Sequence, residues 1–291
     1  MSEVDTAYMD DLHDPARARR LPLKAYFPRG SRSTHPLVIF SHGYATNRLI
    51  NTVAREAFRH LGTHLAARGY VVIHLQHPDR VPGIPEAERP RDVSFLLDAL
   101  AAQRFPLPGF GGQIDLRRVG HAGHSAGAHT AFALAGARID LPGGPGTSLL
   151  DPRIRAIAPI SARGSGEVGG PRGVSTPADA WRSVQTPVFM TVGEAELGFD
   201  AFGQPRPPSW RLEPWEALPN GDKYLAVLPE AGHSDFDHHG RLPASAIRTR
   251  SMAYVRENIA AFFDVYLKGE DALRVKLGEF ARPTGARVAQ K

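Results

Sequence analysis

Short, largely apolar runs alternate with helix-forming stretches along this 291-residue chain. Leu37-Val38-Ile39-Phe40, Tyr70–Leu75, Ile154–Ile160, Pro187–Val192 and Tyr224–Leu228 are four to seven residues long and sit between Gly, Pro or charged turns. Runs that do not alternate need burial on both faces. Between them, Val53–Arg68 reads as a helix stopped by Gly69, and Arg91–Arg104 as a helix with Val93, Leu96, Leu97 and Leu100 on one face. A closing helix runs from about Ser251 to Leu267, with Tyr254, Ile259, Phe262, Phe263 and Tyr266 apolar. This alternation predicts an α/β protein: a mostly parallel central sheet with helices on both faces. Leu21–Phe27 alternates weakly and reads as an edge strand. Residues 1–20 form a charged N-terminal segment, and 21–291 read as a single domain. The glycine-rich stretches Leu141–Gly146 and Arg163–Gly173 read as loops.

Composition excludes several functions. With 35 Lys and Arg against 30 Asp and Glu, the net charge is +5, but the basic residues are scattered with no aromatic-interleaved stripe. A nucleic-acid partner is not expected. The absence of cysteine removes disulfides, thiolate metal sites and a cysteine nucleophile. No apolar run nears the ~20 residues of a membrane span. Met1-Ser2-Glu3-Val4-Asp5 is acidic with no apolar stretch behind it, so the default location is cytoplasmic; a secreted form with its signal removed reads the same. Oligomeric state is not written in the sequence.

In sheets of this kind, ligands bind beyond the carboxyl ends of the strands. Gly123-His124-Ser125-Ala126-Gly127 lies at that edge, between a strand reading (Asp115–Ala122) and a helix-forming stretch (Ala128–Gly136). A serine on a tight strand-to-helix turn is the elbow of acyl-transfer enzymes, and the glycines let strand and helix pass closely. Such a serine needs a base and an orienting acid. In the order serine, acid, histidine, the base follows the last strand, where His233 sits after Leu228. His238 and His239 lie farther from the strand end. The acid follows the preceding strand: Glu196 is the choice, Asp200 its rival, with Glu194 and then Glu167 behind. The oxyanion donors are expected at Ala126 N–H and at Tyr44 N–H, in the His42-Gly43-Tyr44 loop. Tyr44, His124, Trp181 and Trp210 are the candidate substrate-binding residues. His233, Asp235, Asp237, His238 and His239 cluster in sequence, but one must serve as base and no second cluster matches, so no metal is expected.

With these residues in hand, the chain resembles the α/β-hydrolase superfamily. More closely, it is similar to the bacterial predicted dienelactone hydrolases, relatives of the platelet-activating-factor acetylhydrolases. The resemblance is carried by Phe40-Ser41-His42-Gly43, Arg91–Asp98, Gly123–Thr130, Gly221–Leu225 and Ala231-Gly232-His233. It implies Ser125 as nucleophile, His233 as base and a carboxylate at the Glu196 position, with no cofactor. Two departures stand out. The usual acid is aspartate, and dienelactone hydrolase proper uses cysteine, which is absent here. Serine points to ordinary carboxylic esters: a small-molecule ester cleaved through an acyl-enzyme. Lactone, amide or polyester cleavage on the same groups, or a catalytically silent binding protein, are the alternatives.

Overall fold

The apolar runs become the strands of a nine-stranded sheet in the computed structural model, which describes residues 2–44, 54–78, 85–104, 106–167, 174–199, 204–237 and 245–291. The strands are β1 (Val4–Met9), β2 (Leu23–Pro28), β3 (Thr34–Ser41), β4 (Val71–Leu75), β5 (Gln113–His124), β6 (Ile154–Ile160), β7 (Val188–Gly193), β8 (Lys223–Leu228) and β9 (Arg287–Gln290). Their order is β1-β2-β4-β3-β5-β6-β7-β8-β9. Every pairing from β4 to β8 is parallel. β1 and β2 extend one side by antiparallel pairing, and β9 the other.

Parallel strands need crossovers. α1 (Arg59–Ala67) lies between β3 and β4, α2 (Pro85–Ala101) between β4 and β5, and α3 (Ala126–Leu134) between β5 and β6. α4 (Ala246–Phe263) lies between β8 and β9. Alternate residues of β3 show how the sheet divides the core. Leu37 and Ile39 join Leu96, Phe132 and Met190 on the α2–α3 side. Val38 and Phe40 join Leu61, Tyr254 and Phe262 on the α1–α4 side. The expected layout, helices on both faces of a mostly parallel sheet, is therefore the observed one. Among the described residues no helix is long and apolar enough to cross a membrane.

Four local readings change. Leu21–Phe27 is not at the edge: β2 is buried along its whole length because β1 covers it. Residues 1–20 do not stand outside the sheet, since Val4–Met9 is its edge strand with Ala7 and Met9 turned into the core. Leu141–Gly146 is the tip of a hairpin, Arg138–Leu141 against Gly144–Ser148, and not a plain loop. The Arg91–Arg104 helix starts at Pro85 and runs through Pro90.

The chain moves from β3 outward to β4, then back past β3 to β5. Successive connections thus leave in opposite directions on either side of the β3–β5 pair. A crevice at the carboxyl ends of such a pair is where open parallel sheets bind ligands.

Candidate active site

Ser125 sits in that crevice, between the last residue of β5 and the first of α3. Its backbone has φ +56° and ψ −114°, a region L-residues rarely adopt. Strain of this kind costs about 1–3 kcal/mol and persists only where neighbours over-determine it. They do so here. Ser125 N–H donates to Ile160 O at 2.9 Å, tying the turn to β6. A Cβ on Gly123 would stand 2.2 Å from Gly127 O, and one on Gly127 would stand 1.9 Å from Ser41 O. Any side chain at either position drives strand, turn and helix apart.

The serine faces a histidine on another loop. Ser125 Oγ is 3.1 Å from His233 Nε2, and His233 Nδ1 is 2.7 Å from Glu196 Oε2. A carboxylate only accepts, so Nδ1 carries the proton and Nε2 is left to take the hydroxyl hydrogen. Glu196 ends a short 3₁₀ turn that follows β7 directly, and only 4% of its surface is exposed. Burial alone would raise its pKa. Hydrogen bonding from His233, the Arg211 charge and the Gly193 N–H outweigh this and hold it below the usual carboxylate value. Its Oε1 accepts from Ser161 Oγ and Gly193 N–H, both at 2.8 Å. Arg211, itself buried, lies 3.3 Å from Oε2 and also donates to Glu196 O.

The acid turn and the base loop touch at the backbone. Ala195 N–H donates to Ala231 O at 3.0 Å, and a Cβ on Gly193 would lie 2.1 Å from that same oxygen. His124 fixes the base loop from beneath: its Nε2–H donates to His233 O at 2.9 Å, and the two rings lie 4.7 Å apart.

The loop after β3 borders the serine, since a Cβ on Gly43 would lie 3.5 Å from Ser125 Cβ. Buried Arg89 of α2 donates to His42 O at 2.6 Å and to Gly43 O at 3.1 Å. In a trans peptide the C=O and N–H point opposite ways. By holding those two carbonyls, Arg89 turns the N–H groups of Gly43 and Tyr44 to the other side of the loop. Ala126 N–H opens α3 and is one of the N–H groups a helix start leaves without an intrahelical acceptor.

Ser125, His233, Glu196, Ala126, Gly43 and Tyr44 are thus brought to one edge. Other candidates are not. Trp181 is 2% exposed and packs edge-on against Phe132, because its 3₁₀ turn joins the core on the α2–α3 side of the sheet. Trp210 is buried as well, with its Nε1–H on Ser165 O at 2.8 Å. His124 contacts the base loop, as described. Glu194, half exposed, lies 3.7 Å from Arg287, and Glu167 is exposed. Asp200, His238 and His239 lie outside the described residues. Asp235 accepts from Gly232 N–H and lies 3.4 Å from Arg248, so it serves its own turn.

Arg89, Arg211, Ser161 and His124 escaped the sequence reading as supports, as did a second serine with the same order of partners. Ser41 Oγ is 2.8 Å from His77 Nε2, and His77 Nδ1 is 3.0 Å from Asp92 Oδ2. Arg19 grips Asp92 through two hydrogen bonds, and Arg17 adds a third at 3.1 Å. His121 Nε2 lies 2.9 Å from the same Ser41 oxygen. Ser41, His77 and Asp92 are all fully buried. Nothing in local sequence marks these partners, which come from the loop after β4, from α2 and from β5.

The mostly parallel sheet, helices on both faces and strand–turn–helix serine make this an α/β-hydrolase architecture. Residues 18–86 match the family model described as platelet-activating factor acetylhydrolase, isoform II. That stretch holds β2, β3, α1 and β4, and with them the His42-Gly43-Tyr44 loop; Ser125, Glu196 and His233 lie beyond it. The comparison with curated proteins finds no match.

Proposed function

We propose that this protein is a serine hydrolase that cleaves carboxylic esters through an acyl-enzyme. The observation that carries the reading is the unbroken run of contacts from Ser125 Oγ through His233 to buried Glu196, at 3.1 and 2.7 Å. The likeness of residues 18–86 to an acetylhydrolase family supports ester cleavage by the same logic.

In this reading, His233 Nε2 removes the Ser125 hydroxyl proton as Oγ attacks the ester carbonyl. Imidazolium forms next to Glu196, whose ionised state the surrounding donors favour. The carbonyl oxygen becomes an oxyanion and is met by Tyr44 and Ala126 N–H groups. His233 then gives its proton to the departing alkoxide, releasing the alcohol and leaving an ester on Ser125. Water, deprotonated by His233, attacks that ester; the acid departs and the serine regains its proton.

Short p-nitrophenyl esters test this. Wild type should hydrolyse them, a fluorophosphonate should label Ser125, and Ser125→Ala should abolish both. Turnover retained in Ser125→Ala, or no labelling of wild type, overturns the reading. Lactones, amides and polyesters share the acyl-enzyme route, and relative kcat/KM across such a panel ranks them.

A further inference from the structure

Three residues past the β6 carbonyl that holds Ser125, the chain reaches Arg163. Chain reach alone puts its Cα within about 11 Å of that carbonyl. The backbone around Arg163 is pinned on both sides. Ser161 N–H donates to Thr191 O at 2.8 Å. Arg211 donates to Ser161 O and Ala162 O at 3.3 and 3.2 Å. Ser165 N–H donates to Glu213 Oε2 at 2.7 Å, and Ser165 O accepts from Trp210.

The side chain on this fixed backbone is treated differently. Its Nη2 is shut away from solvent with no hydrogen-bond partner among the described residues. Buried guanidinium donors are ordinarily matched to carboxylates or carbonyls. Arg89 and Arg211 are instead engaged by carbonyls and a carboxylate: Arg89 by those of His42 and Gly43, Arg211 by Glu196 and its neighbours. Arg163 keeps its charge at neutral pH, although burial chiefly, with Arg206 adding to it and Glu86 opposing, lowers its pKa to about 10.

His129 locates the charge relative to the serine. It lies one helical turn after Ser125, and its N–H donates to Ser125 O at 3.2 Å. Burial and the charges of Arg163 and Arg89 hold His129 well below the ordinary imidazole pKa. Two guanidinium charges are therefore felt at the first turn of α3, the helix that Ser125 precedes. A partly buried cation with an unused, solvent-shielded donor, on the segment that follows β6 at the same sheet edge as Ser125, is suited to receive an anion that arrives with the substrate.

We propose that Arg163 anchors a carboxylate carried by the substrate, so that the ester this protein takes is a monoanionic one. The proposal rests on the esterase reading and names its substrate class. The carboxylate belongs to the acyl part or the alcohol part, and two matched pairs distinguish these. Monoethyl glutarate is set against ethyl valerate, and 4-acetoxybutanoate against butyl acetate; each pair differs only by a carboxylate in place of a methyl group.

Wild type should prefer the anionic member of one pair by at least about 10-fold in kcat/KM, the scale of a charged hydrogen bond. In Arg163→Met that ratio should fall at least about 10-fold, and Arg163→Lys should restore part of it. A preference ratio unchanged in Arg163→Met for both pairs overturns the proposal, and so does a variant that lowers both members of each pair alike. Binding is read apart from turnover by calorimetry on Ser125→Ala with monoethyl glutarate and with 4-acetoxybutanoate. Adding Arg163→Met should weaken binding of the preferred anion at least about 10-fold. Arg163-dependent binding without turnover of any ester in wild type would sink the esterase reading and leave the anion site standing. Binding that is absent, or indifferent to Arg163, overturns the anion site whatever the turnover.

Discussion

Two serine–histidine–carboxylate chains occur among the described residues, and their contrast teaches what the hydrogen-bond order alone does not. Ser125–His233–Glu196 spans 3.1 and 2.7 Å; Ser41–His77–Asp92 spans 2.8 and 3.0 Å. By distance they are equals. They differ in backbone, access and the use of the serine oxygen. Ser125 is thrust out on a positive-φ turn, whereas Ser41 closes a regular strand. The His233 side chain is 24% exposed and that of His77 is 0%. The Ser41 hydroxyl hydrogen goes to His77, whose Nδ1–H is committed to Asp92. His121 Nε2 must then be protonated and donate to the Ser41 oxygen, occupying a lone pair that attack would need. The inner chain is a structural brace beneath the His42–Tyr44 loop, and the outer one is the proposed reaction centre.

Substitution at the serines separates the two most sharply. Ser125→Ala should lower kcat on a p-nitrophenyl ester by at least about 10⁴-fold. Ser41→Ala should leave kcat within about threefold while costing about 1–3 kcal/mol of stability, since two buried histidines lose a shared partner. Equal losses of activity in both variants would erase the distinction.

The carboxylates come next. Glu196→Gln should lower kcat by about 10²- to 10⁴-fold by favouring the wrong histidine tautomer, and should also lower stability, because buried Arg211 loses its carboxylate. Asp92→Asn should cost about 3–5 kcal/mol, because buried Arg19 loses its two charged hydrogen bonds and keeps a carboxylate, Glu88, at 4.0 Å. A kcat unaffected by Glu196→Gln would move the acid elsewhere.

Arg89 links the two regions, holding the loop that lies above one serine and beside the other. Arg89→Met should lower kcat by about 10²-fold, the scale of one misplaced oxyanion donor, with KM changed far less. A loss confined to KM would make Arg89 a substrate contact.

Acid gives the most graded effect. Burial holds His74 and His121 down at a pKa of about 3. As pH falls from about 6.5 toward 3, the unfolded chain binds protons these two cannot take when folded. Stability is therefore lost over that window, by about 1.4 kcal/mol per pH unit for each histidine. Urea midpoints at pH 6, 5 and 4 measure the slope. His74→Phe, in a site already lined by Tyr26 and Phe40, should remove about half of what the two contribute.

What the sequence made legible follows its physics. Apolar runs such as Leu37–Phe40 have few alternatives to a doubly covered strand, and Gly123 and Gly127 advertise a close passage that side chains forbid. Ser125, Glu196 and His233 were readable because each lies just past a strand, where topology alone sets proximity. Arg89, Arg211 and His124 act through contacts between distant segments, and their spacing carries no signal. Trp181 misled for the opposite reason: a large side chain in a long connection suits a pocket wall, but its apolar area was better spent in the core. β1 carries no such apolar run, because Asp5 and Thr6 interrupt its apolar residues.

The backbone join between Gly193–Ala195 and Ala231 has a consequence for how such a protein diversifies. The chain between β7 and β8 leaves beside this join as a handle and re-enters the sheet at the start of β8, and β8 then carries it back to the join at Ala231. Residues in the span can be lengthened, shortened or exchanged while the acid and base keep their separation, so long as an arginine still reaches back as Arg211 does. Selection for a new substrate then acts on the handle and leaves the hinge alone. Gly193 is the position where that freedom stops: a single methyl group there would push acid and base apart.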